Sequence, residues 1–245
     1  MKKNFSLFST LSTILALYLM FRKSLYFIYR KISKIGYVER ISYSQGAEDL
    51  ILKYIFRDQN SGVYVDVGCN HPVDSNNTFL FYLNNWNGVN IDGNEKLIKL
   101  FKKVRPKDIS INALISDDEY NVNYYQSSSD KVSTIDTDFY NQNKSDFEYP
   151  NENIVEAKTT TLTKILNSLN LPNFKIDLLT IDVEGIDIKV LKGLDFNIYK
   201  PKVICIECHN INLENLNKNE VYEYLIEKGY SLKYHAISSC FFILN

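Results

Sequence analysis

Val63-Tyr64-Val65-Asp66-Val67-Gly68-Cys69-Asn70-His71-Pro72 is the stretch whose reading decides the fold. A short β-branched and aromatic run ends in an acid and a glycine, as a buried strand does when it stops at a sharp loop. An apolar segment from Thr78 to Leu83 follows, so the unit reads strand, loop, helix. The rhythm continues outward: Gly88–Asp92 gives a second strand, Glu95–Val104 a second helix, and Ile109–Ile115 a third strand. Upstream, Ser44 is placed to cap a helix that carries Glu48 and Asp49 in its first turn and Leu50, Ile51, Tyr54 and Ile55 at helical spacing. Strands that alternate with helices need crossovers and so run parallel.

From Asp117 to Lys158 the pattern breaks into Ser, Asn, Asp and Tyr, and reads as an inserted loop region. The alternation resumes with a helix over Thr160–Leu169, a strand over Ile176–Asp182, a short helix over Ile186–Leu191 and a strand over Val203–Glu207. A helix over Glu214–Lys228 and a hairpin of Tyr230–His235 with Cys240–Leu244 close the chain. The expected fold is a single α/β domain: a seven-stranded, mostly parallel sheet with helices on both faces and an antiparallel last hairpin.

Composition agrees with one large globular domain: 245 residues, 45% hydrophobic and 23% charged. Lys+Arg 28 against Asp+Glu 29 leaves no overall positive field, so nucleic acid is not an expected partner. Four cysteines are too few for a disulfide scaffold. Cys205 and Cys208 form one C-x-x-C, but a tetrahedral zinc site needs two more ligands, and Cys69 with His71 lacks the spacing. No metal is expected, and Cys69 and Cys205 read as small buried strand residues.

Residues 1–41 differ from the rest. Phe5 to Phe21 carries no charge and lies between Lys2-Lys3 and a basic stretch holding Arg22, Lys23, Arg30, Lys31 and Lys34. The run is short against the roughly 20 residues of a spanning helix, and Ser6, Ser9, Thr10 and Thr13 line one helical face. No small-residue cleavage site ends it, so it is expected to stay attached. The greater Lys/Arg load beyond it keeps the main domain, 42–245, in the cytoplasm, with residues 5–21 as a candidate anchor at the inner face of the cell membrane. A soluble N-terminal helix is the alternative.

In an open parallel sheet, ligands lie beyond the carboxyl ends of the strands. Those ends carry Asp66 to Asn70, Asp92, Asn112 to Ser116, Asp182 to Gly185, and Glu207 to His209. Gly68 admits close backbone approach, Asn70 can take a left-handed backbone, and Asp92 stands where an acid accepts hydrogen bonds from ribose hydroxyls. A dinucleotide site needs a glycine-rich phosphate cradle, whereas this loop is Gly-Cys-Asn-His-Pro-Val, with Asp74 adding negative charge. A cationic nucleoside such as S-adenosylmethionine suits it better than a diphosphate. The rivals are a nicotinamide-dependent sugar oxidoreductase or epimerase and a membrane-tethered nucleoside-binding domain without catalysis.

Several motifs taken together resemble the FkbM family of S-adenosylmethionine-dependent methyltransferases. They are Ser42-Tyr43-Ser44-Gln45 with Glu48-Asp49, the Asp66–Pro72 run with Ser75-Asn76, Trp86–Asp92, Arg105–Asp108, Thr161-Leu162 and Ile181–Gly185. One departure is Ala47, where the family usually has glycine before the acid. The resemblance implies a class I methyltransferase, Rossmann-like fold and methyl transfer to a hydroxyl of a sugar, glycan or other small metabolite. It implies cofactor contacts from Gln45, Asp66, Gly68, Asn70, Asp92, Asn112, Ala113 and Asp182. For catalysis, Asp182 and Glu184 lie two apart at a strand end, on one side of it, and either could draw off a hydroxyl proton. His71 is the third candidate, with His209 and Glu207 as further rivals. Arg105 and Asp108, flanking Pro106, are expected to form a surface pair.

Overall fold

The computed structural model describes residues 41–128, 132–171, 174–208 and 211–245. The apolar run 5–21 and His209 lie outside the described residues. Among the described residues, no helix is long and apolar enough to cross a membrane.

In chain order the elements are α1 (Glu48–Ile55), β1 (Val63–Val67), α2 (Phe79–Leu83), β2 (Asn87–Asp92), α3 (Glu95–Val104), β3 (Ile109–Asn112), β4 (Leu114–Ser116) and β5 (Asn121–Tyr125). Then come α4 (Thr137–Asn143), β6 (Ile154–Thr161), α5 (Leu162–Ser168), β7 (Leu178–Ile181), α6 (Asp187–Lys192), β8 (Val203–Glu207), α7 (Glu220–Glu227), β9 (Tyr230–Ala236) and β10 (Ser239–Leu244). The seven-stranded sheet has the order β3-β2-β1-β7-β8-β10-β9. β1 is parallel to both β2 and β7, and β10 alone runs antiparallel to its neighbours β8 and β9. This is the expected sheet, with its antiparallel last hairpin.

Strand alternation sorts the core onto two faces. Tyr64, Leu178, Val203, Cys205 and Phe241 pack with Leu52 of α1, Phe56 just beyond it and Phe81 of α2. Val65, Leu179, Ile181, Ile204 and Phe242 turn the other way, against Leu162 of α5, Val190 of α6 and Leu225 of α7. All four cysteines are buried and unbridged.

Three expectations are corrected. The third strand breaks after Asn112, and its second half, β4, joins a separate three-stranded sheet ordered β4-β6-β5. The inserted region is therefore structured: β5, where Val122–Tyr125 alternates, pairs antiparallel with β6 from Asn121↔Lys158 to Tyr125↔Ile154, a long-range pairing whose partner local sequence does not name.

Arg105 and Asp108 are a buried pair, not a surface one, with both side chains 0% exposed. All five guanidinium N–H donors are used. Nε donates to Asp108 (2.9 Å), Nη1 to the Pro72 carbonyl (3.3 Å) and Asn76 Oδ1 (3.0 Å), and Nη2 to the hydroxyls of Tyr64 (2.8 Å) and Thr78 (2.9 Å). Asp108 also accepts from Tyr64 Oη (2.6 Å), the Gly88 N–H (3.0 Å) and Asn90 Nδ2 (2.9 Å).

The third correction concerns the entry to α1. Ser44 is not its N-cap residue; that position is Ala47, in the left-handed region at φ 66 with no side-chain cap. Ser44 serves from farther back, its Oγ accepting the Asp49 N–H at 2.8 Å. A left-handed alanine costs about 1–2 kcal/mol, against glycine's smaller entropic penalty of about 0.5–1 kcal/mol. Ala47→Gly is therefore expected to stabilise the domain by about 0.5–1 kcal/mol and to raise the melting temperature by about 2 °C in calorimetry.

Candidate functional site

Strand order reverses direction at the β1/β7 junction, and here a cavity of about 740 Å³ opens beyond the carboxyl ends of β1, β2, β7 and β8. That volume suits a nucleoside cofactor together with a small second ligand. Gln45, Asp66, Gly68, Asn70, Asp92, Ala113, Asp182 and Glu184 all line it. The strands converge there because each β-branched run ends where an acid or glycine begins.

At the β2 end, Asp92 Oδ2 accepts the Asn70 N–H (2.9 Å) and Oδ1 accepts the Asn94 N–H (2.7 Å). Asn70 has the left-handed backbone expected of it, φ 49. Gly68, at φ 75, is required for a different reason from the one read in the sequence: an added Cβ would collide with the Asp182 carbonyl oxygen. The close approach is to the backbone just beyond the end of β7. Asp66 is buried and turned toward the loop, accepting from Thr78 Oγ1 (2.7 Å) and Asn76 Nδ2 (3.3 Å). Burial pushes its carboxyl up to about 6, against the pull of those bonds and of Arg105.

Two of the sequence-derived residues stand outside the lining. Asn112 points its amide at the Asp92 carbonyl (2.9 Å) and so supports the β2 end. His71 closes its own turn: its Nδ1 accepts the N–H groups of Val73 (3.2 Å) and Asp74 (2.9 Å). The ring thus closes its own turn and is not part of the cavity lining.

The opposite end of the cavity is acidic. Side-chain oxygens of Asp182, Glu184 and Glu207 lie within 4.8 Å of one another. Asp182 opens into the cavity yet is ringed by protein. Burial, then the charges of Glu207, Glu184 and Asp187 and a hydrogen bond with Glu207, hold its carboxyl well above the usual range. Strand alternation does not bring Asp182 and Glu184 together, since β7 ends at Ile181. The turn does: Glu184 sits at φ 55 and Gly185 at φ 107. Asp187 Oδ1 braces this turn by accepting the Val183 N–H (3.2 Å), and burial with the Glu207 charge pushes Asp187 up to about 7.

Sequence reasoning pointed to the region 117–158 for acceptor contacts but named none of the residues that cover the cavity. Thr134 Oγ1 donates to the Glu184 carbonyl (2.7 Å), and Phe139, Asn143 and Phe147 line the cavity from in and beyond α4. These apolar rings lie singly in a polar stretch, without the periodicity that marks a buried face. Ser238, at the tip of the last hairpin, is another such residue.

A doubly wound sheet with an acid-lined crevice beyond its strand ends, and no glycine-rich phosphate cradle after β1, follows the class I methyltransferase plan. The sequence profile of the methyltransferase FkbM domain matches residues 66–232, and the chain belongs to the FkbM family of S-adenosylmethionine-dependent methyltransferases. No curated protein matches it in sequence. Among solved structures, an FkbM methyltransferase from Methylobacillus flagellatus is 11% identical, with a TM-score of 0.46, over 75% of this chain and 44% of that one. The chain thus spans less than half of that protein. A TehB-like SAM-dependent methyltransferase from Corynebacterium glutamicum is 10% identical, with a TM-score of 0.42, over 91% and 97% of the two chains.

Asp66 and Asp187 both titrate above the ordinary 3.8 of an aspartate. The folded protein therefore holds protons that the unfolded chain has released, and this stability is present in full below about pH 4 and lost as pH rises through 6 to 7. Melting temperature should fall between pH 5 and pH 8, and Asp187→Asn, which keeps the acceptor for Val183, should flatten that fall.

Proposed function

We propose that this chain transfers the methyl group of S-adenosylmethionine to a hydroxyl oxygen of a sugar, glycan or other small metabolite. The observation that carries the reading is one cavity with a nucleoside-type end at Asp92 and Asn70 and a three-carboxylate end at Asp182, Glu184 and Glu207. The donor set fits this cofactor. Among the described residues the lining has five carboxylates and no Lys, Arg or His, which suits a sulfonium and repels a pyrophosphate.

Bound here, the cofactor supplies an electrophilic methyl carbon. Asp92, held by two backbone N–H groups, would receive the ribose hydroxyls, with Asn70 beside it and Gln45 elsewhere in the lining. Asp182 orients the acceptor hydroxyl and Glu184 takes its proton. The cofactor would supply the methyl carbon to that oxygen and keep the electron pair of its carbon–sulfur bond on sulfur. Much of the acceleration is positioning; a base adds a factor of about 100 to 10,000.

Asp92→Asn is expected to weaken S-adenosylhomocysteine binding by about 1–3 kcal/mol in calorimetry. Glu184→Gln and Asp182→Asn are expected to bind it nearly normally while turnover falls by about 100- to 10,000-fold. Binding of NAD in place of S-adenosylhomocysteine would sink the reading.

Residues 5–21 tether the domain to the inner membrane face, a reading supported by the charge-free run and its basic flanks. Fractionation of cells making the full chain and a version starting at Ser42 tests it: the first should sediment with membranes and the second should not.

A further inference from the structure

Cations are unevenly spread over the domain. Residues 42–245 hold 20 Lys and Arg against 28 Asp and Glu, yet the stretch from Lys96 to Lys107 has Lys96, Lys99, Lys102, Lys103 and Lys107, with the buried Arg105, and no acid. All five lysines are exposed. α3 buries Leu97, Ile98 and Phe101 and turns its other side to solvent. At about 100° per residue, Lys96, Lys99 and Lys103 fall within about 60° of one another on that side, with Lys102 flanking them. Val104 and Ile109 add exposed apolar surface at the end of the helix.

Helix stability does not account for this face. Lys102 and Lys103 in the last turn suit the macrodipole, but Lys96 stands in the first turn, where a cation is unfavourable. Lys99 has like charges at i+3 and i+4, Lys102 and Lys103, and another at i−3, Lys96, and such pairs repel. Lys99 does pair with Glu95 at 3.0 Å, both side chains well exposed. Lys96, Lys102, Lys103 and Lys107 have no ion pair among the described residues. An external anionic surface would relieve the repulsion that the fold leaves standing.

We propose that this face of α3 docks on an anionic bilayer, its lysines among the headgroups and Val104 and Ile109 at the edge of the contact. Charge complementarity selects the partner. The domain as a whole has eight more acids than bases and is repelled by such a surface, so attraction confined to one helix face also sets the orientation. Nucleic acid fits less well, since between Lys96 and Lys107 both the arginine and the aromatic ring that could contact bases, Arg105 and Phe101, are buried. Asp92 and Gly93, which line the cavity, directly precede α3. The docked helix therefore keeps one edge of the cavity within its own length, about 15 Å, of the headgroups. This contact is made by the folded domain and depends neither on the tether read in residues 5–21 nor on the methyl-transfer reading.

The test titrates the full chain with vesicles of phosphatidylcholine alone and with about 30% phosphatidylglycerol, and reads the ratio of the two partition constants. One variant combines Lys96→Gln, Lys99→Gln, Lys102→Gln and Lys103→Gln; a control of equal charge combines Lys175→Gln, Lys200→Gln, Lys218→Gln and Lys233→Gln. Each lysine near such a surface is worth about fivefold. The α3 variant is therefore expected to lose about a hundredfold or more of the ratio, and the control less than about fivefold. Raising salt from about 0.1 M to about 0.5 M should weaken the unmodified chain and leave the α3 variant little changed. Melting temperature and S-adenosylhomocysteine binding should match the unmodified chain in both variants, since the substituted side chains are exposed and outside the cavity lining. The tether contributes equally to all three proteins and cancels in the comparison. A chain that binds both vesicles alike, or equal losses in the α3 variant and the control, overturns the proposal. So does a variant that keeps its preference for phosphatidylglycerol but loses retention on an RNA or duplex DNA probe, which would assign the face to nucleic acid.

Discussion

A guanidinium with no exposure to solvent is tolerable only if every one of its donors is matched, and Arg105 meets that condition with five hydrogen bonds. The rings of Tyr64, Tyr82 and Phe101 stand 5.1 to 5.4 Å from its centre and take up the remaining field. Its partners come from β1, from the end of α3 and from the loop between β1 and α2. One side chain thus binds together the strand that carries Asp66, the loop that carries Asn70, and the turn that leads into β3. Asp66 touches the same assembly through Thr78 and Asn76, so the shape of this end of the cavity is set by a buried charge outside its lining.

The parallel sheet was legible because buried strands announce themselves as β-branched runs, and because acids and glycines mark their ends. Asp66, Asp92 and Asp182 could be placed at one edge from that pattern alone. Less was legible where contact depends on distant chain. Arg105 and Asp108, set beside Pro106 among charged residues, look like surface from local sequence; their burial comes from Tyr64, Thr78 and Asn76, residues far back in the chain. His71 follows a strand end as a catalytic residue would, but nothing in its neighbours reveals that its ring bonds the next two N–H groups. The segment covering the cavity was hidden for the opposite reason, since its apolar residues are few and become a ceiling only when β5 pairs with β6.

Backbone strain gathers around the cavity. Asn70, Ser75 and Glu184 line it with positive φ; Ala47 lies two residues from Gln45, and Ile237 adjoins Ser238, also in the left-handed region. A β-branched residue at φ 55 is rare anywhere. Such conformations cost of order 1–3 kcal/mol each and last where surrounding structure over-determines them. At Glu184 the determinant is visible: Thr134 grips its carbonyl and Asp187 holds the preceding turn.

β10 is the last strand of the domain in sequence, yet it lies inside the sheet, between β8 and β9. Its approach turn delivers the Ser238 carbonyl to the Cys208 N–H, and Ser239 donates to Glu48 at the start of the domain. During synthesis, a chain that has completed β8 already carries every cavity carboxylate but presents β8 as an open edge, the kind of surface on which strands of other molecules pair. The rim cannot close until the final hairpin emerges and inserts. A chain folded only as far as β8 would therefore hold its acids assembled beside an unfinished sheet, and insertion of the last hairpin, rather than completion of the loop after β1, is the step that makes the rim whole.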